Sequence, residues 1–189
     1  MNKPAIYVFF GLIASGKSTL SELFANRHSY PCYNTDRVRK NLAGLAVSER
    51  RPDGMNKGIY TPEFTQKTYL SMLELAAQDI AQGAAGVVLD GSYSRREDRR
   101  RVLDLAARLN VSTFFILCSC TDVVVKERLA LRAKDPDAVS DGRWEIFVRQ
   151  KQSFELPEEL AAYQLLQLDT EQSPESLVAR VEQFCANQP

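Results

Sequence analysis

The stretch Gly11-Leu12-Ile13-Ala14-Ser15-Gly16-Lys17-Ser18 fits the pattern G-x-x-x-x-G-K-[ST], whose chemistry is the binding of phosphate. The glycines let the backbone turn tightly, so that successive N–H groups point inward at phosphate oxygens. Lys17 would reach the β- and γ-phosphates of a nucleotide, and the Ser18 hydroxyl would be a Mg²⁺ ligand. The loop is flanked by an apolar run, AIYVFF at 5–10, and by an apolar-periodic segment after Lys17. That is a strand leading into a helix, whose dipole adds positive potential at the phosphates. A glycine-containing turn with a surface lysine would use the same letters without needing those flanks. The expected nucleotide contacts are Gly11, Ala14, Ser15, Gly16, Lys17, Ser18 and Thr19.

Two aspartates sit where strands should end. Asp90, in VVLDGS, occupies the expected position of a carboxylate near Mg²⁺. The next residue is Gly91, where motor-type ATPases place a water-activating glutamate, so the pattern argues against a hydrolytic machine. A GTPase is excluded by the lack of an Asn-Lys-x-Asp motif; NKGI at 56–59 lacks the aspartate. Asp36, in YNTDRVRKNL, can accept a proton from a hydroxyl attacking the γ-phosphate, with Arg39 holding the acceptor. The spacing serves equally well a helix cap at Asp36 and a solvated face of Arg37, Arg39 and Lys40. Arg39, Asp90 and Tyr93 form the candidate acceptor-side set.

Arg128 and Arg132 lie four residues apart and share a helix face. A transferring phosphoryl group needs positive charge on both sides, and arginines from a lid would supply the side that the loop does not. An exposed charged helix face is the alternative.

Strand-like and helix-like stretches must position these residues. Near-continuous apolar runs at 5–10, 86–91, 111–120 and 163–169, with a weaker one at 31–35, predict strands buried on both faces. The intervening segments have helical periodicity. Thr61-Pro62 and Ser173-Pro174 give cap-then-proline starts, and Gly83 a stop. Alternation predicts one α/β domain over 1–189 with a parallel sheet. Residues 43–60 lack apolar periodicity and read as a mobile substrate loop, with a lid at about 126–142.

The quoted segments, together with VVLDGSYSRREDRRRV and RLALR, resemble the P-loop kinases related to polynucleotide kinase, the zeta-type toxins and chloramphenicol phosphotransferase. GIYTPEFTQKTYLSMLELA and SDGRWEIFVRQKQSFE are more similar still to the ATP-binding kinase domain fused to aminoglycoside-phosphotransferase-like proteins. The resemblance implies a P-loop NTPase fold like that of nucleoside monophosphate kinases: five parallel strands, helices on both faces and a helical lid. It implies Asp36 as base, Arg39 on acceptor or phosphate, and Arg128 and Arg132 divided between the adenine and the β/γ-phosphates.

Equal numbers of Lys+Arg and Asp+Glu, 24 each, give no global attraction to nucleic acid or anionic membrane. The apolar run at the N-terminus is too short for a signal peptide, which makes the cytoplasm the expected location. Cys118 and Cys120 would share a face of a strand, but a metal site there would need two more ligands, so packed thiols are expected. The reading is therefore an ATP- and Mg²⁺-dependent kinase phosphorylating a hydroxyl of a small molecule. Asp36, Lys17 and Arg132 would be its catalytic residues, and Ser18 and Asp90 its metal residues. A polynucleotide 5′-hydroxyl kinase is the near alternative. SRREDRRR at 94–101 would be its basic patch, although the interleaved acids and the helical phase suggest a solvated surface. A non-catalytic ATP-binding module is the alternative from another class.

Overall fold

A strand whose apolar residues alternate on both faces must be covered on both sides. In the computed structural model, which describes residues 3–46, 58–134 and 143–187, both β1 (Ala5–Phe10) and β3 (Gly86–Gly91) are buried at every position. With β2 (Cys32–Asn34), β4 (Ser112–Ser119) and β5 (Leu165–Asp169) they form one parallel sheet in the order β2-β3-β1-β4-β5. The weak second run shrinks to three residues at the sheet edge.

The period of two in β1 divides the core. Ile6, Val8 and Phe10 face α3 (Pro62–Ala81) and α4 (Arg96–Leu109) through Met72, Ala76, Val102 and Leu105. Tyr7 and Phe9 face α1 (Lys17–His28) and α7 (Pro174–Ala186) through Leu20, Phe24, Leu177 and Val181. The short α2 (Thr35–Leu42) packs beside α3 and contributes Val38. A third cluster lies outside the sheet. Val125 and Leu129 of α5 (Asp122–Lys134) and Phe147 of α6 (Trp144–Ser153) cover Ile13 and Ala14 of the glycine-flanked loop.

The proline-led starts hold: Thr61 and Ser173 accept the N–H groups of Phe64 and Ser176. Cys118 lies in β4, but Cys120 falls beyond its end; all four cysteines are free. Residues 47–57 of the expected loop and 135–142 of the expected lid lie outside the described residues.

The arginine-rich segment at 94–101 differs from a solvated surface. Arg99 is fully buried and ion-paired with Glu159. Its guanidinium also donates to the Tyr93 carbonyl at 2.8 Å and the Leu156 carbonyl at 3.3 Å, 5.8 Å from the Phe10 ring centroid. Helical phase put Arg99 on the same face as Val102 and Ala106, and tertiary contacts from 156–159 supply the counter-charge.

Glu159→Gln should cost about 3 kcal/mol in urea unfolding at pH 7, because it leaves a buried guanidinium without its counter-charge. Replacing both partners with apolar residues, Arg99→Met with Glu159→Leu, should cost less. Burial pushes the Glu159 carboxyl up, but the Arg99 hydrogen bond and the Arg99 and Arg96 charges outweigh it and hold the group below its usual range. A depressed carboxylate stabilises above the unfolded pKa of about 4.3 and ceases to as pH falls through the folded value. The gap between wild type and Glu159→Gln should therefore narrow in acid. Equal midpoints at pH 7 would show that the pair contributes nothing.

Candidate functional site

The loop from Gly11 to Gly16 connects β1 to α1 at the carboxyl end of the sheet. Gly11 has φ 141°, and a Cβ there would lie 2.3 Å from the Cys118 carbonyl oxygen, so no side chain fits. Gly16, at φ 84°, is the N-cap of α1 and offers no side chain to its first turn. Ala14 also takes a left-handed conformation, at φ 59°. The N–H groups of Lys17, Ser18 and Thr19 open α1 without a side-chain acceptor, the arrangement that suits an anion. The Lys17 ammonium rests on the Leu12 carbonyl at 3.3 Å.

The loop is held from outside by residues distant in sequence. Thr170, just past β5, donates its hydroxyl to the Ser15 carbonyl at 2.6 Å. Arg128 of α5 donates to the Ala14 carbonyl at 3.2 Å, to the Thr170 hydroxyl at 3.1 Å and to the Thr170 carbonyl at 2.7 Å. Gln150 of α6 accepts the Ile13 N–H at 2.8 Å. None of these clamps was visible in the sequence, which singled out Arg128 only as a lid arginine, since each reaches the loop across more than 100 residues.

Two neighbouring strand ends bring the aspartates beside the loop; β2 and β3 pair with Asn34 opposite Asp90. Asp90 is 0% exposed. One carboxylate oxygen, Oδ2, accepts from Asn34 Nδ2 at 2.6 Å, and Oδ1 has no hydrogen-bond partner. Burial pushes the Asp90 carboxyl up; the Lys17 charge, the nearby Ser18 hydroxyl and the Asn34 hydrogen bond oppose that, and Asp36 adds to it. A buried, unsatisfied carboxylate oxygen beside a serine hydroxyl is a hard-oxygen donor set, which fits Mg²⁺. Asp36 lies in the first turn of α2 and pairs with Arg39 at 2.8 Å. The cap of α2 is Asn34, not Asp36: its Oδ1 accepts the N–H groups of Asp36 and Arg37. Arg39 is buried, 5.0 Å from the Tyr60 ring centroid, and Lys40 is buried too, so only Arg37 of that trio matches a solvated face.

Arg128 and Arg132 both line a cleft of about 280 Å³ with Gly16, Thr19, Thr170 and Gln172. Leu20, Leu131, Pro174 and Leu177 give it apolar walls. Burial and the Arg128 charge lower the Arg132 guanidinium, with Asp90 and Asp36 opposing, so Arg132 lies within the field of both aspartates. Tyr93 is not brought to the opening. It is 1% exposed, at φ 38°, with its N–H on the Tyr69 hydroxyl, and packs beneath Gly91.

Residues 6–157 match the AAA_33 family, described as an AAA domain. The uncharacterized protein Rv2004c of Mycobacterium tuberculosis H37Rv is 29% identical over 119 residues, 63% of this chain and 24% of that protein. Mb2027c of Mycobacterium bovis, also uncharacterized, gives the same figures. The chain thus spans about a quarter of the length of the curated relatives it matches. Among solved structures, a candidate kinase from Chloroflexus aurantiacus superposes with a TM-score of 0.72 at 20% identity, covering 97% of this chain and 99% of that one. A sugar kinase from Janibacter sp. HTCC2649 gives 0.68 at 18%, covering 97% and 95%. A gluconokinase from Sinorhizobium meliloti 1021 gives 0.65 at 18%, covering 98% and 94%. At such identities the likeness speaks to the fold, which is that of P-loop kinases.

Thr170→Val keeps the shape but leaves the Ser15 carbonyl unanswered. It should cost about 1–3 kcal/mol in urea unfolding and speed hydrogen exchange at the amides of 14–16. Wild-type values in both measurements would show that the loop is held without Thr170.

Proposed function

The chain belongs to the AAA domain family, and from that premise we propose that it is an ATP- and Mg²⁺-dependent kinase transferring the γ-phosphoryl group to a hydroxyl of a small molecule. The observation that carries the reading is the pair of adjacent strand ends beside the phosphate loop. One bears a buried carboxylate with an unpartnered oxygen, Asp90, and the other a partly exposed carboxylate held by an arginine, Asp36. In this reading the N–H groups of 14–19 and the Lys17 ammonium bind the β- and γ-phosphates. Ser18 and Asp90 would hold Mg²⁺, which would supply positive charge to neutralise the phosphates. Asp36 takes the proton of the acceptor hydroxyl as that oxygen attacks, while Arg39 orients Asp36 and meets the acceptor. Arg132 stabilises the charge that develops on the transferring group.

The cleft walled by Leu131 and Pro174 suits the base. Arg128 lines that cleft while its Nη1 and Nη2 atoms hold the loop and Thr170, so its guanidinium is fixed beside the proposed adenine site. Gly91 in place of a glutamate disfavours hydrolysis. A small acceptor is favoured over a nucleic-acid end because the basic segment is neutralised locally. Arg95 pairs with Asp98, Arg96 with Glu158 and Glu159, Arg99 with Glu159, and Arg101 with Glu97. A regulatory ATP sensor would need neither Asp36 nor Arg132. Within the family we place the chain near the kinases that accompany aminoglycoside-phosphotransferase-like domains. Among the described residues no helix is long and apolar enough to cross a membrane, and we assign the protein to the cytoplasm.

ADP release should be near zero with ATP alone and should rise with one compound of a metabolite panel. With that acceptor, Asp36→Asn should bind Mg·ATP as wild type does and transfer roughly a hundredfold more slowly. Asp90→Asn should instead raise the Mg²⁺ requirement. Normal transfer by Asp36→Asn would remove the base from the scheme, and ATP turnover indifferent to every acceptor would sink the kinase reading.

A further inference from the structure

Asn34 closes β2 and has no place among the phosphate, metal or acceptor residues named so far. Its side chain nevertheless joins two of those groups. The amide oxygen accepts the backbone N–H of Asp36 at 3.0 Å and of Arg37 at 3.1 Å. The amide nitrogen donates to Asp90 Oδ2 at 2.6 Å. Thr35 reinforces the link, donating its hydroxyl to the Asp90 carbonyl at 3.2 Å.

We propose that Asn34 is a positioning residue that couples the metal-binding carboxylate to the helix carrying the base. The proposal rests on the roles given to Asp90 and Asp36 above. A carboxylate rotates readily about its last torsion, so a buried one aims a chosen oxygen only when a donor fixes the other. Asn34 fixes Oδ2 and leaves Oδ1 as the unpartnered oxygen of a carboxyl group that has Ser18 and Lys17 close by. The same amide sets the start of α2, and with it Asp36 and Arg39. Serine, threonine and aspartate also cap helices. Aspartate has no donor, and a hydroxyl has one oxygen, too short a reach to accept from two N–H groups and also donate to Asp90. Asparagine alone among the usual caps has an acceptor and a donor on separate atoms. Displacement of the Asp90 carboxylate is therefore felt at Asp36, and seating of an acceptor against Asp36 and Arg39 is felt at Asp90, since such coupling is reciprocal.

The test is a Mg²⁺ titration of the binding of a non-hydrolysable ATP analogue, followed by calorimetry, for wild type, Asn34→Ser, Asp90→Asn and the double variant. Asn34→Ser keeps a cap and should melt close to wild type, while its Mg²⁺ midpoint should rise roughly tenfold, the scale for losing a partner of a metal ligand. Analogue affinity in EDTA should not change. In the Asp90→Asn background the second substitution should add no further rise, because Asn34 acts through Asp90. Asn34→Thr repeats the comparison if the serine variant unfolds early. A midpoint within twofold of wild type would reduce Asn34 to a helix cap, and additive rises in the double variant would show that it acts by another route. Binding by the wild-type protein that ignores Mg²⁺ would remove the metal role of Asp90 itself, and the coupling with it; that outcome is read in the wild type alone and so is distinct from a failure of Asn34.

Discussion

A carboxylate buried in the middle of a parallel sheet is tolerable only if its surroundings answer its charge, and Asp90 makes that demand where the site is built. Asn34 answers one oxygen from the neighbouring strand, and Lys17 supplies opposite charge from the first turn of α1. The order of strands follows the same demand. With β3 between β1 and β2, the residue that ends β3 has the phosphate loop on one side and the start of α2 on the other. Lys17, which compensates Asp90, is also a group that the proposed transfer would use.

Arginine serves opposite ends in this chain, and burial with its partners decides which. Arg99 is sealed against Glu159 and backbone carbonyls and is architectural. Arg128 clamps the loop to the turn after β5 while lining the cleft. Arg132, one helical turn further on, lies in the fields of Asp36 and Asp90. The i, i+4 spacing of the last two gives no sign that Arg128 is the one tied to the loop and to Thr170.

Much of the fold was legible because its signals are local. The glycine-flanked loop, the continuous apolar strands and the two Ser/Thr-Pro helix starts each depend on residues within a few positions of one another. The candidate site was legible as far as its strand-end aspartates and its loop. What escaped was long-range: Thr170 on the Ser15 carbonyl, Gln150 on the Ile13 N–H, and Glu159 on Arg99. Asn34 could have been found, because an asparagine between a strand and a helix is a standard cap, but its bond to Asp90 needs the register of β2 on β3. Charge density at 94–101 misled for a similar reason, since the residues that neutralise it include Glu158 and Glu159, about 60 positions away.

The Arg99–Glu159 pair also bears on how the chain is made. The two residues are 60 apart in sequence, and the guanidinium lies over Phe10 near the start. As the polypeptide leaves the ribosome, the first 150 residues contain four strands and a guanidinium destined for the interior, but neither its carboxylate nor the fifth strand. Closure over that face must wait for the carboxylate, so the domain is expected to complete its packing late and as one unit rather than strand by strand. The segment shared with the AAA domain family stops at 157, two residues short of Glu159. A fragment ending at 157 would lack both the counter-charge of Arg99 and the fifth strand.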